Sequence, residues 1–312
     1  MNNLNLQISQ DLRHHLTHHL QSLPNDFAEI YEYALFPTGK LFRANLVWRL
    51  YCDLNNLDIY QIKTPEHPNL QYLSSAVEVH HAYTLVHDDL PCMDDDDFRR
   101  NKPSTHKQYN EWKALLVGDG LLNLSYELLA KIQHSETPLL ISMMAKLCGP
   151  EGLILGQYLD LLQDNEKFNF KNILKIHELK TANLFITCLN GASILSNNSH
   201  KNNESISNIG KSIGITFQLI DDLTELCENN ISAHEKEINP WCHDYEATKD
   251  YFQSLIKLMK TEITEYRSLS EMISAYIEVT TEKITKSKKT IEDHLESDLN
   301  PIIAELQIIN KV

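Results

Sequence analysis

Residues His87–Arg100 read HDDLPCMDDDDFRR, which places six aspartates within ten positions and, after Phe98, two arginines. Mutual repulsion makes such a cluster costly unless a cation neutralises it. It follows an apolar segment, Leu73–Val86, so the carboxylates are expected at the end of a buried helix rather than on a solvated tail. Carboxylates in that position suit a hard cation. Magnesium prefers oxygen, keeps some waters, and takes one or two protein carboxylates together with substrate phosphates. Asp88 and Asp94, on either side of Pro91, are the candidate ligands. Arg99 and Arg100 fit a metal-bridged diphosphate, because guanidinium binds phosphate oxygens bidentately.

A second acidic motif lies at Gly214–Glu225, GITFQLIDDLTE. Asp221 and Glu225 are four apart, so on a helix their carboxylates share a face. Apolar residues again precede them. One such pair is common on surface helices. Two acidic motifs more than a hundred residues apart, each ending an apolar helix, carry more weight. Facing helices of a bundle would bring them to opposite walls of one cavity, where divalent ions could clamp a diphosphate.

The elements that position these groups read as helices. Only 9 Gly and 10 Pro punctuate 312 residues. Apolar residues fall at three- and four-residue intervals in Leu46–Leu57, Ala114–Ala130, Leu139–Leu162 and Ile209–Leu226, the helical period. Pro138 and Pro301 each sit near an expected helix start, and Pro91 should end the helix carrying Asp88. Alternating strands bounded by hairpin turns are not found. Connections are expected at Thr64–Pro68, Arg99–Lys107, Gln133–Pro138, Gln163–Asn169, Ser196–Asn203 and Asn229–Cys242. None is long enough to separate two domains, so a single all-α domain over residues 1–312 is expected.

The formal charge of −15 disfavours nucleic acid as a partner. The six cysteines, at 52, 92, 148, 188, 227 and 242, form no CxxC pair, and isolated buried thiols are expected. HHLTHH at 14–19 has i, i+4 histidines, but without a nearby carboxylate or cysteine a solvated face is expected. The first fifteen residues lack the basic start and apolar core of a signal peptide. No run of eighteen apolar residues suggests a membrane span. A cytoplasmic protein is expected.

At this point the sequence resembles the trans-prenyl diphosphate synthases, the farnesyl and geranylgeranyl diphosphate synthase family. DDLPCMDDDDFRR matches its first aspartate-rich motif and paired arginines, and GITFQLIDD the run into its second motif. TGKLFRA at Gly39, GLILGQYLD at Gly152–Asp160 and HELKTANL at His177–Leu184 resemble further family elements. The resemblance implies a bundle of about ten core helices around a deep central cavity. It implies magnesium on Asp88 and Asp94 from one wall and on Asp221 and Glu225 from the other, with about three ions in all. Lys40, Arg43, His81 and Arg100 would hold isopentenyl diphosphate, and Arg99 and Lys180 the allylic diphosphate. Thr181 and Gln218 would face the reacting carbons with their oxygen dipoles. A homodimer is also implied. Departures occur at Thr38, Ala44, Asn101 and Ala182, at Glu225 in place of Asp, and in the shortened stretch ELCENNISAHEKEINPW, where Lys236 is the one substitute cation.

The expected activity joins isopentenyl diphosphate to a short allylic diphosphate, giving farnesyl diphosphate. A geranylgeranyl synthase, a non-catalytic diphosphate-binding regulator, and a terpene cyclase are the alternatives. No GxSxG nucleophile element is found. Tyr83, five residues before Asp88, resembles a floor under the growing chain. Tyr83→Ala should therefore shift the main product beyond about fifteen carbons, read by chromatography of the dephosphorylated products. An unchanged product distribution would remove the floor role.

Overall fold

The computed structural model describes residues 3–162, 169–196, 203–228, 231, 236 and 238–309. The connections expected at 163–169, 196–203 and 229–242 fall largely outside these residues. The chain forms two compact units, Met1–Met143 with Gly191–Ser199, and Met144–Asn190 with His200–Val312.

The first unit begins with α1 (Asn3–Leu20), α2 (Asn25–Leu35) and α3 (Phe42–Asn55), followed by α4 (Pro68–Asp88), α5 (Thr105–Tyr109) and α6 (Glu111–Ala130). On α1, Leu4, Ile8, Leu12, Leu16 and Leu20 recur every fourth residue and are all buried, a stripe of the width a core-facing helix needs. His15 continues that stripe. It is buried, bonds Ser75 Oγ through Nδ1 at 3.0 Å and stacks on Tyr72 with centroids 4.6 Å apart. The expected solvated histidine face is thus only partly realised, with His14 and His18 exposed.

Helix α4 is buried on nearly every side, with twelve buried residues among twenty-one, as befits the central helix of its unit. It packs closely on α6. There the His87 ring lies over Gly118, where an added Cβ would come within 2.1 Å of the ring. The same ring bonds Leu115 O at 3.0 Å. Glycine is needed at 118 because the two helices approach across an imidazole. Asn110 caps α6 by accepting from Lys113 N at 3.1 Å.

The expected connection at Arg99–Lys107 holds more structure than foreseen. It contains a two-stranded antiparallel ribbon, β1 (Phe98–Arg99) with β2 (Lys102–Pro103), and most of the short α5. The ribbon is too short to show alternation, which is why the pattern of apolar residues missed it.

The helical run expected over Leu139–Leu162 is broken. Helix α7 (Thr137–Cys148) ends before Gly149, and α8 (Leu153–Asp160) starts after Gly152. Thr137–Asp160 is, among the described residues, the one stretch long and apolar enough to cross a membrane, with mean hydropathy 1.4 and 39% of its window buried. A break in mid-span leaves backbone groups that lipid cannot satisfy, so the stretch is better suited to protein packing.

In the second unit α8 is followed by α9 (Phe170–Ile176) and a π-helical turn at His177–Ala182. This turn leads into α10 (Asn183–Ile194), then α11 (Asn203–Glu225) and five further helices between Pro240 and Ile309 among the described residues. Trp241, Phe185 and Phe252 are its largest fully buried side chains. The Trp241 indole donates to Leu219 O at 2.8 Å, so the ring's one polar atom is satisfied. Of the cysteines, Cys52, Cys148 and Cys188 are buried as expected. Cys92 is exposed and Cys227 and Cys242 are half-buried, because they lie at helix ends and in loops.

His15, His80 and His177 are held neutral by burial, at about 4, about 3 and about 4 respectively. The unfolded chain takes up these protons first as pH falls below 6.5, so each histidine costs stability on acidification. His80→Gln should remove about one proton from the uptake on unfolding between roughly pH 6.5 and 3. The check is the pH dependence of the urea unfolding free energy, compared with the unaltered chain.

Candidate active site

Helix α4 delivers the first acidic motif. After Asp88 the chain turns at Pro91, and Asp94 N donates to Asp88 O at 2.9 Å. This closes a loop that returns Asp94 to the helix end. Asp88 is half-buried and Asp94 exposed. Asp89, one residue on, is only 2% exposed. Its Oδ1 accepts from Arg99 Nε at 2.9 Å and Nη2 at 2.5 Å, while Asp96 Oδ2 accepts from the same Nη2 at 2.6 Å. Burial pushes the Asp89 carboxyl up, opposed by its bonds to Arg99. Removing Arg99 would leave the buried Asp89 charge unpaired, a loss of about 3–5 kcal/mol for a buried ion, whereas Arg99 without Asp89 keeps Asp96. Asp89 therefore fixes the guanidinium that sequence resemblance assigns to a diphosphate.

Arg99 and Arg100 are adjacent yet part company. They lie at the bend of the ribbon, where Arg100 and Asn101 have φ of 55° and 61°, the left-handed pair that a two-residue hairpin requires. Asn tolerates that region better than most residues, which suits Asn101 to the second position of the turn. Arg100 turns away from Asp89. Its Nη1 donates to Leu35 O at 3.3 Å and Pro37 O at 3.1 Å, and a Cβ on Gly39 would lie 3.4 Å from its Nε.

Around Arg100 a second polar cluster forms within the same unit. Glu78 is buried and accepts from Ala44 N at 2.9 Å, holding the start of α3 just before which Leu41 adopts φ 53°. Burial pushes Glu78 up, while Ala44 N–H, Arg43 and Arg100 oppose the shift. His81, one turn along α4, is pushed well below the usual imidazole range by burial first and then by Arg43, Arg100 and Arg99. The arrangement brings Arg43, His81 and Arg100 into one electrostatic neighbourhood; Lys40 lies exposed just before α3. Tyr83 is buried, with its ring edge-on to His80 at 4.7 Å and to His87 at 5.6 Å.

In the second unit, two glycines set the geometry. A Cβ on Gly156 would meet Lys180 N at 2.5 Å, and one on Gly214 would meet Ala182 Cα at 2.6 Å. The π-helical turn thus touches α8 and α11 backbone to backbone. Lys180 Nζ then reaches Asp160 Oδ2 at 2.6 Å, and Thr181 Oγ1 donates to Gln218 Oε1 at 2.9 Å. Gln218 Nε2 donates to Asp222 Oδ1 at 2.8 Å, and His177 Nε2 lies 3.4 Å from Asp222 Oδ2. Asp222 is pushed well up, by burial first and then by Glu225. Asp221 and Glu225 are exposed one turn apart on α11. Lys236 is exposed.

Among the described residues no three His, Cys, Asp or Glu side chains converge as a metal cage. The four candidate ligands are all carboxylates, without imidazole or thiolate. Such a donor set fits magnesium, which shares its shell with phosphate and water. Sequence reasoning missed Asp89, Asp222, His177, Glu78 and the pairing of Asp160 with Lys180. The doubled aspartates were the available signal for the first two: adjacent helix residues cannot face the same way.

A sequence profile of the polyprenyl synthetase family matches residues 24–292. The chain is 39% identical over 156 residues to a farnesyl diphosphate synthase of Bacillus subtilis, an alignment covering 48% of this chain and 53% of that protein. It is 33% identical to a farnesyl diphosphate synthase of Buchnera aphidicola, covering 78% of this chain and 80% of that protein. A geranyltransferase structure from Legionella pneumophila superposes with a TM-score of 0.70 at 27% identity, over 89% of this chain and 95% of that one. With motif, fold and sequence in agreement, this chain belongs to the polyprenyl synthetase family.

Proposed function

We propose that this protein is a magnesium-dependent prenyltransferase that condenses isopentenyl diphosphate with dimethylallyl or geranyl diphosphate, head to tail, to give farnesyl diphosphate. The observation that carries this is the parting of Arg99 and Arg100. One guanidinium is held by Asp89 and Asp96 beside Asp88, and the other lies by Gly39, where its charge reaches His81. Two separate cationic positions suit two diphosphates. A cyclase, which handles one, needs no second.

Each group then has a task. Arg99 and Lys180 hold the allylic diphosphate, Lys180 exchanging Asp160 for phosphate oxygens. Lys40, Arg43, His81 and Arg100 hold isopentenyl diphosphate. Asp88 and Asp94, and likewise Asp221 and Glu225, would hold magnesium, which would supply neutralisation of the charge building on the departing diphosphate. The allylic carbon–oxygen bond breaks, and the oxygens of Thr181 and Gln218 stabilise the resulting allylic cation. The isopentenyl double bond attacks it, and a proton passes to the released diphosphate to restore an alkene. Tyr83 limits the length of the product. About three ions, one catalytic domain over residues 1–312, a cytoplasmic location and a homodimer belong to the same proposal. Trp112, Leu115 and Leu116, exposed on α6, offer an apolar face for a second copy.

Purified protein with labelled isopentenyl diphosphate, magnesium and each allylic primer in turn should yield a fifteen-carbon product. Asp88→Asn and Asp221→Asn should each lower turnover by about a hundredfold or more with helical circular dichroism unchanged. No incorporation with any primer would point to a diphosphate-binding regulator. Consumption of a primer without incorporation would point to a cyclase.

Asp89→Asn should loosen Arg99 and cost roughly 10–100-fold in activity, the usual penalty for an outer partner of a phosphate–metal site. The loss should appear mainly as a raised KM for the allylic substrate, measured with isopentenyl diphosphate saturating. An unaltered KM would mean that Arg99 orients without Asp89.

A further inference from the structure

We propose that His177 and Asp222 are positioning residues that fix which edge of the Gln218 amide faces the reacting carbons. This rests on the roles given above to Thr181 and Gln218. A glutamine amide presents two edges of nearly equal shape, one an acceptor and one a donor of two N–H groups. Toward a developing carbocation the two differ in sign: the oxygen stabilises positive charge and the N–H edge opposes it. Whichever neighbours select the edge therefore control the barrier.

Thr181 cannot make that selection, since a hydroxyl both donates and accepts. The carboxyl of Asp222 can, because the oxygen it turns to the amide, Oδ1, accepts. It takes Gln218 Nε2 at 2.8 Å, one helical turn along α11, and leaves Oε1 for the Thr181 hydroxyl at 2.9 Å. Asp222 is itself held. Asn239 Nδ2 donates to its backbone oxygen at 2.8 Å, and its Oδ2 faces His177 Nε2 at 3.4 Å. His177 and Asp222 are both buried, and His177 Nδ1 has no hydrogen-bond partner among the described residues. Asp222 Oδ2 likewise makes no hydrogen bond among the described residues, so Nε2 approaches it at 3.4 Å as a polar neighbour rather than a bonded donor, and Oδ1 alone binds the amide. The π-helical turn puts His177 and Thr181 at the two ends of one chain: His177, Asp222, Gln218, Thr181.

The test is a double-mutant cycle on the holoenzyme with geranyl and isopentenyl diphosphates. His177→Phe keeps the ring and removes the N–H. It should lower kcat about tenfold, with both KM values, the magnesium requirement and calorimetric binding of geranyl diphosphate within about twofold of the unaltered enzyme. His177→Gln, which retains a donor, should recover at least about a third of kcat. In a Gln218→Leu background, His177→Phe should cost nothing further, because the group it positions is gone. An equal loss in both backgrounds, an unaltered kcat, or KM values rising in step would overturn the proposal. A Gln218→Leu enzyme with full kcat would instead remove the role given to Gln218, and the positioning with it. If His177→Phe does not fold, Asp222→Asn enters the same cycle. It can offer the amide an N–H, and its loss in kcat should likewise vanish in the Gln218→Leu background.

Discussion

Two neighbouring residues of a helix point about 100° apart, and the chemistry of this protein is built on that fact. Each acidic motif carries a doubled aspartate at the end of an apolar helix. In each, the first member reaches solvent and the second is buried, Asp88 with Asp89 and Asp221 with Asp222. A buried carboxylate is tolerated only with partners. Asp89 finds Arg99, and Asp222 finds Gln218 and His177. The inward aspartates fix the side chains they bind, and under the proposed function the outward ones would take the cation.

The helical units supply what such an arrangement demands. Carboxylates and guanidiniums keep their places only if the backbones under them cannot drift. Close approach at Gly156 and Gly214 removes the side-chain layer that would otherwise cushion the π-helical turn. Lys180 and Thr181 then inherit their directions from backbone contact. At the first motif the same service comes from the ribbon, whose bend sends two adjacent arginines to different neighbours.

Much of this was legible in the sequence. The helical class followed from apolar spacing and few breakers, and the ligand candidates from the two acidic runs. The Pro91 turn was readable because proline cannot continue α4. Other features were hidden for physical reasons. The break between α7 and α8 lies at Gly149–Gly152, inside a run whose apolar period continues on both sides. His15 has a polar name and a core position, satisfied by Ser75, a distinction that only tertiary packing makes. A π-helical turn leaves no mark in composition. The resemblance to a known family named Lys180, Thr181 and Gln218, but not the residues behind them, whose work depends on contacts across α8, α11 and the turn.

The hydrogen bond from Asp94 N to Asp88 O makes the first motif a closed ring of main chain. Its aperture is set by the number of residues between them, not by which side chains they carry. Leu90 anchors the ring in the core, while Pro91, Cys92 and Met93 look outward. Exchanging the outward Cys92 or Met93 would leave that length unchanged, but inserting or deleting a single residue would unlatch the second carboxylate from the first. The motif is thus a measured length of chain before it is a string of letters.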